Sequence, residues 1–301
     1  MISCWRQRRT RRGKETKMSR TARVKGSGDA FYHVTTRITG RQFLLEDREV
    51  KADMLDALRR SAAFSGVLVG SFAVMDDHVH ILLKVPRVDP GTVPDDEVVE
   101  RYTVLAGKEK GDDFRERIDS MSRSGDLAGR DVALNRLRAR MYDLSQFMKT
   151  FKEVFGRRFR NRRPYVGTIW AERFKSCLVE SGSYLASCAK YIALNPVRAN
   201  MVKHAEEYAW SAVGLARRGD AFATACLAWL RSVFAGDCPQ AGWMLRRCGQ
   251  IVSGKIFGSR EFVEREIREH MDVLRSRSAQ ARLAREGLYA SHGYIADRSA
   301  A

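Results

Sequence analysis

Two histidines stand two apart in DDHVHILLKV, residues 76–85, in a chain that has only six. On a β-strand alternate side chains share a face, so His78 and His80 point together while Val79, Ile81, Leu83 and Val85 point into a core. Two imidazoles so placed can grip one cation, and imidazole is the commonest metal-binding side chain. The same spacing suits a pair that faces solvent or lies under a helix, and spacing alone does not choose. A second stretch, KYIALNPVRAN, covers residues 190–200. Tyr191 and Asn195 are four apart, which puts them on one helix face. Pro196 disfavours helical backbone at the residue before it, so Asn195 is expected at a helix end or kink, its amide oxygen free to act as a hard ligand. The plain alternative is a core tyrosine followed by an asparagine that stops the helix. Tyr32, Tyr142, Tyr165, Tyr184 and Tyr208 are rival tyrosines. Tyr184 lies seven residues before Tyr191 on nearly the same face, but has no asparagine four residues on.

These residues need elements to hold them. FYHVTTRITG (31–40) is aromatic and β-branched and reads as a strand. Residues 47–63 carry Met54, Leu55, Leu58 and Ala62 at helical spacing. VLVGSFAVM (67–75) is a buried strand, joined by a tight Asp76-Asp77 turn to HVHILLKV in a hairpin. Residues 86–130 hold three of the six prolines and many charges, and read as a partly helical insertion. A long helix is expected over 131–155 with Leu137, Met141, Leu144, Phe147, Met148 and Phe151 on one face. RRFRNRRP (157–164) reads as a basic loop, RFKSCLVE (173–180) as a strand and SYLASCAKYIALN (183–195) as a helix. That order is an α+β, ferredoxin-like split β-α-β antiparallel sheet with added helices. Residues 1–29 read as a basic, disordered arm, 30–215 as the main domain, and 216–301 as a helical C-terminal extension with no chemical motif.

The formal net charge is +18, which favours a polyanionic partner, nucleic acid above all. Residues 1–17 carry seven Lys/Arg and one Glu; removing that +6 leaves 18 − 6 = +12, so the inference does not depend on whether Met18 is the true start. Single-strand binders mix cations with aromatic platforms. GRRFRNRRPY (156–165) interleaves Arg157, Arg158, Arg160, Arg162 and Arg163 with Phe159 and Tyr165, and Trp170, Arg173 and Lys175 follow. Arg198, just after Pro196, is a further candidate phosphate contact. A solvated charged face is the bland alternative for such a run. His33 and Arg37 on the first strand are candidate neighbours of the histidine pair. None of the six cysteines forms a C-x-x-C pair, and buried reduced thiols are expected. The chain shows no signal peptide and no run of roughly 20 apolar residues, so a cytoplasmic location is the expectation. It carries no P-loop or G-x-G-x-x-G, so no nucleotide cofactor is expected.

YHVTTRITGR (32–41), MDDHVHILLK (75–84), GTIWAERFKSCLVE (167–180), YIALNPVRANMV (191–202) and YAWSA (208–212) together resemble the REP-associated tyrosine transposases. These belong to the HUH superfamily of single-strand DNA transposases. The likeness spans about residues 30–215, with a weaker echo at FGSREFVE (257–264). The insertion at 86–130 is longer than the minimal domain of that superfamily. The resemblance implies that His78, His80 and Asn195 ligate Mg²⁺ or Mn²⁺, and that Tyr191 is the nucleophile. It further implies cleavage of single-stranded DNA at hairpin-forming palindromic repeats through a 5′-phosphotyrosine, with strand joining by reverse attack and no ATP. The expected assembly is a monomer or homodimer. The competing reading is a hairpin-binding regulator that uses the same fold without cutting.

Overall fold

The structure is a computed structural model that describes residues 23–233 and 256–269. The expected disordered arm therefore lies outside the described residues up to position 22. So do Cys4, Cys238 and Cys248 and the extension at 234–255 and 270–301.

One five-stranded sheet organises the chain. Its strands are β1 (Ala30–Arg37), β2 (Leu68–Val74), β3 (His78–Val85), β4 (Lys175–Val179) and β5 (Ile256–Phe257). They lie in the order β2-β3-β1-β4-β5. The first four are antiparallel neighbours, while β5 runs parallel to β4. Helix α1 (Arg48–Ser65) connects β1 to β2, and the connection from β3 to β4 ends in α5 (Leu144–Arg162). This is the expected ferredoxin-like α+β arrangement, with the two strands that begin the β-α-β units, β1 and β3, at its centre.

α1 and α5 cover one face of the sheet. Phe147, Phe151, Phe155 and Phe159 recur every fourth residue along α5 and are all essentially inaccessible. They meet Val34, Ile81, Leu83 and Phe72 from the strands in one cluster with α1 residues Met54 and Leu58. Each such ring removed from water contributes on the order of 1.5–3 kcal/mol. Asp47 starts α1 by accepting from the amides of Glu49 and Val50 at 2.7 and 3.2 Å. Gly66 ends it in the left-handed conformation, φ 70°, where a Cβ would also stand 2.3 Å from the Tyr142 ring.

Helix α6 (Ser183–Arg198) covers the other face. Leu185, Cys188, Tyr191 and Ile192 pack there on Ala73, Leu82 and Val179. The outer edge of β2 is closed by a backbone bond from Val74 N–H to the Trp210 carbonyl, 2.9 Å. α7 (Ala212–Arg217) and α8 (Ala221–Val233) then pack alongside. An open edge would otherwise template pairing with another chain. A register shift between Val69 and Ser71 marks a bulge at Gly70. A Cβ there would lie 2.7 Å from the indole of Trp229 on α8, so this position needs glycine to admit the ring. The start of the C-terminal extension thus covers the sheet. β5, absent from the sequence-based expectation, adds a strand at its far edge, and α9 (Arg260–Glu269), a helix of the expected extension, follows it.

Four expectations are corrected. The insertion holds α2 (Asp95–Ala106), α3 (Lys108–Ser124) and α4 (Leu127–Arg138), and runs further than residue 130. The single helix expected over 131–155 is two, α4 and α5, separated at 139–143, where Tyr142 takes φ 51° and Asp143 caps the new helix at Gln146 N–H, 2.9 Å. The apolar stripe had run across the break because Leu137 and Met141 face a separate small core with Val98, Val99 and Leu134, while Phe147 and Phe151 face the sheet. The basic segment is not a loop up to Arg162, since α5 continues through it. In the same way α6 runs past Asn195 and through Pro196 to Arg198. Burial of Pro196 near the helix end overrides its local preference.

Candidate active site

β1 and β3 pair with Thr35 opposite His80 and Arg37 opposite His78. β1 and β4 pair with Thr35 opposite Lys175 and His33 opposite Cys177. Opposed residues in an antiparallel pair share a face. His33, Thr35, Arg37, His78, His80 and Lys175 therefore lie on the face that α6 covers.

The imidazoles form a chain. His33 Nε2 lies 2.9 Å from His80 Nδ1, and Thr35 Oγ1 lies 3.2 Å from the same nitrogen. His80 Nε2 lies 3.1 Å from His78 Nε2. His78 Nδ1 is held by the Asp77 carboxylate, which Arg37 approaches at 3.8 Å. Burial depresses the His33 pKa to about 4. It also holds His80 well below the usual histidine range, with His33, His78 and Arg37 adding repulsion. Both rings are therefore neutral at pH 7, the form that binds metals. The neighbouring Asp76 does different work. It takes the buried Lys51 ammonium of α1 at 2.6 Å, which ties the hairpin turn to that helix.

Tyr191 is 5% exposed and packs edge-on against both buried histidines. Its ring centroid lies 5.6 Å from that of His80 and 5.7 Å from that of His33. The Arg198 guanidinium stands 5.3 Å from the Tyr191 ring centroid. The rival tyrosines have other surroundings. Tyr184 packs against Phe257 of β5 at 5.0 Å. Tyr208 donates its hydroxyl to the Val74 carbonyl at 2.6 Å, and burial raises its pKa further above the usual phenol value. Tyr32 accepts from Gly26 N–H at 2.8 Å, and its pKa is also raised by burial.

The donor set suits a divalent cation at one edge. An Nδ1–H on His78 facing a carboxylate leaves its Nε2 lone pair bare, the usual arrangement behind a metal-bound imidazole. Two nitrogens about 2.1 Å from one ion at right angles stand about 3 Å apart, the separation seen between the two Nε2 atoms. Asn195 is the weaker part of the expected set. Its amide Nδ2 donates to the Tyr191 carbonyl at 3.3 Å, and it makes no hydrogen bond to either histidine. Among the described residues no three His, Cys, Asp or Glu side chains gather around one point.

The expected DNA-contacting residues divide between two regions. Lys175 and Arg198 lie with the histidines, on the sheet row opposite Thr35 and beside Tyr191. The arginines of α5 lie on the other side of the sheet. Two of them, and Arg163 just past the helix end, face carboxylates of α1 or of its N-cap. Arg158 meets Asp56 and Asp53 at 2.5 and 3.6 Å. Arg162 meets Asp53 and Glu49 at 2.8 and 2.5 Å, and Arg163 meets Asp47. Arg157, Arg160 and Arg173 are exposed and make no such ion pair among the described residues. Trp170 packs edge-on to Phe155 at 5.5 Å under the Lys152 ammonium. Asp77 and Thr35 were not foreseen. A carboxylate immediately before a strand histidine was the available signal for Asp77, whereas Thr35 needed the strand register.

The fold and the face on which the histidines meet Tyr191 define a ferredoxin-like α+β protein with a His-X-His strand. No family model matches the chain, and no curated protein matches it. A solved structure entitled "Structure of the REP associates tyrosine transposase bound to a REP hairpin" is similar over 67% of this chain and 87% of its own, with 15% identity and a TM-score of 0.43.

Proposed function

We propose that the protein is a metal-assisted, single-strand DNA nicking and joining enzyme of the tyrosine transposase type. The observation that carries this reading is the packing of Tyr191, alone of the two α6 tyrosines, against His80 and His33. His78 and His80 present two facing Nε2 atoms for Mg²⁺ or Mn²⁺, with Asn195 one helical turn beyond Tyr191 as the candidate third ligand. The bound cation supplies Lewis-acid polarisation of the scissile phosphate. Tyr191 supplies the nucleophile: its phenol oxygen forms the bond to phosphorus as the bond to the 3′-oxygen breaks. The 3′-oxygen leaves as a hydroxyl after taking a proton, and the 5′ end stays on the tyrosine. Reverse attack by a 3′-hydroxyl rejoins strands with no nucleotide cofactor. A free phenol near pKa 10 is about 0.1% ionised at neutral pH, so the tyrosine needs this electrostatic help. Arg198 beside the ring and Lys175 on the same face are placed to hold flanking phosphates.

The test is a denaturing gel of labelled hairpin oligonucleotides incubated with protein and Mn²⁺, wild type beside Tyr191→Phe. A covalent adduct present in the wild type and absent from the variant is the expected result. An adduct that persists in the variant moves the nucleophile elsewhere. Retention of the hairpin with no adduct in either favours a regulator that binds without cutting.

A further inference from the structure

We propose that His33 is a positioning residue that sets which ring nitrogen of His80 carries the proton, and so makes His80 able to ligate a cation. This rests on the metal-assisted reading above. His80 can turn a bare Nε2 toward an ion beside His78 only when its proton sits on Nδ1. That proton then needs an acceptor, because Nδ1 is buried with the rest of the side chain and a buried donor left unmade is costly. His33 Nε2 is the nearer acceptor, at 2.9 Å, with the two ring planes only 18° apart. Thr35 Oγ1 is the farther one, at 3.2 Å. Without a cation the chain has a second, reversed arrangement, in which His80 Nε2–H donates across 3.1 Å to His78 Nε2 and His33 Nε2–H donates to His80 Nδ1. Cation binding then replaces the His80–His78 bond and reverses the one between His33 and His80. A histidine can occupy either end of such a bond because each ring nitrogen can donate or accept. A phenylalanine at position 33 fills the space and does neither. Because His33 also touches the Tyr191 ring, the same side chain ties the ligand geometry to the candidate nucleophile.

The experiment compares wild type, His33→Phe, His33→Gln and Thr35→Val, each checked for native circular dichroism. Mn²⁺ affinity is measured by electron paramagnetic resonance. Ring ¹⁵N spectra with Zn²⁺ as a diamagnetic probe report the His80 tautomer and any coupling across the bond to His33. Loss of a partner behind a metal-bound histidine typically weakens binding about 10–100-fold, so His33→Phe should weaken Mn²⁺ by at least about 10-fold and His33→Gln, whose amide can accept, should recover most of it. Wild-type His80 should show Nδ1–H with coupling to His33 Nε2, and Thr35→Val should bind as wild type does. His33→Phe binding Mn²⁺ as tightly as the wild type overturns the proposal. So does a Thr35→Val loss as large as that expected for His33→Phe. A wild type that takes up neither Mn²⁺ nor Zn²⁺ overturns the metal reading and this role for His33 with it. Should His33→Phe fail to fold, the coupling in the wild type and the behaviour of His33→Gln decide.

Discussion

His78, His80 and Tyr191 differ from the other residues of their types in what they touch. His78 has a carboxylate behind it, and His80 has the buried His33 and the half-buried Thr35, so each ring is oriented before any ligand arrives. His78→Ala or His80→Ala should each weaken Mn²⁺ binding by more than about 100-fold, beyond the effect of losing a partner behind the ligand, as read by isothermal titration. A loss under about tenfold would place the ion elsewhere. Tyr184→Phe should leave any DNA adduct intact, because its ring faces Phe257. Tyr208→Phe should also leave the adduct but should lower stability by about 1–3 kcal/mol, since it strands the buried Val74 carbonyl. Chemical denaturation and the adduct gel separate these two effects.

At the scale of elements, α5 is anchored from both sides. Its phenylalanine stripe faces the sheet, and Arg158 and Arg162 face the acidic side of α1. Phe151→Ala should cost about 3–5 kcal/mol by leaving a cavity between α5 and the sheet, read from the urea midpoint at unchanged slope. The small residue at 70 has the opposite vulnerability. Gly70→Ala drives a methyl into the Trp229 indole and should cost about 1–3 kcal/mol by overpacking. Gly70→Ala combined with Trp229→Leu should recover part of that loss; no recovery would mean that the bulge backbone, not the ring, requires glycine.

For the whole molecule, charge decides two behaviours. The excess of cations favours a polyanion, but pairing within the fold removes several α5 arginines from that role. Arg173→Ala should therefore reduce the salt dependence of hairpin binding by roughly 0.7 in the log–log slope, the value for one single-strand phosphate contact. Arg162→Ala should leave that slope unchanged and lower the melting temperature instead. Equal slopes for both variants would reject this division. The helical insertion gives an acid-sensitive joint. A hydrogen bond from Arg138, with the charge of Arg130 nearby, holds the Asp95 pKa below its ordinary value of 3.8. The unfolded chain then binds the proton at higher pH than the native one, so this stabilisation is fully present above about pH 4 and is lost as pH falls through the folded pKa. Asp95→Asn should flatten stability against pH in that acid window alone. No helix among the described residues is long and apolar enough to cross a membrane.

The strand order in sequence, the hairpin and the face shared by His78 and His80 were legible because they depend on a two-residue period and on turn residues, which are local. The pairing of Tyr191 with those histidines was legible only through the resemblance, since nothing local relates residue 80 to residue 191. Local signals also misled at two places. Pro196 predicted an end to the helix that burial carries through, and one apolar stripe over 131–155 concealed two helices serving two cores. The sequence by itself determined most of the elements and their apolar faces, because side-chain spacing and propensity act over a few residues. Only the tertiary structure decided that His33 stands behind His80, that α5 arginines meet α1 carboxylates and that Trp229 demands Gly70, because each depends on strand register or helix packing across 47 to 159 positions of sequence.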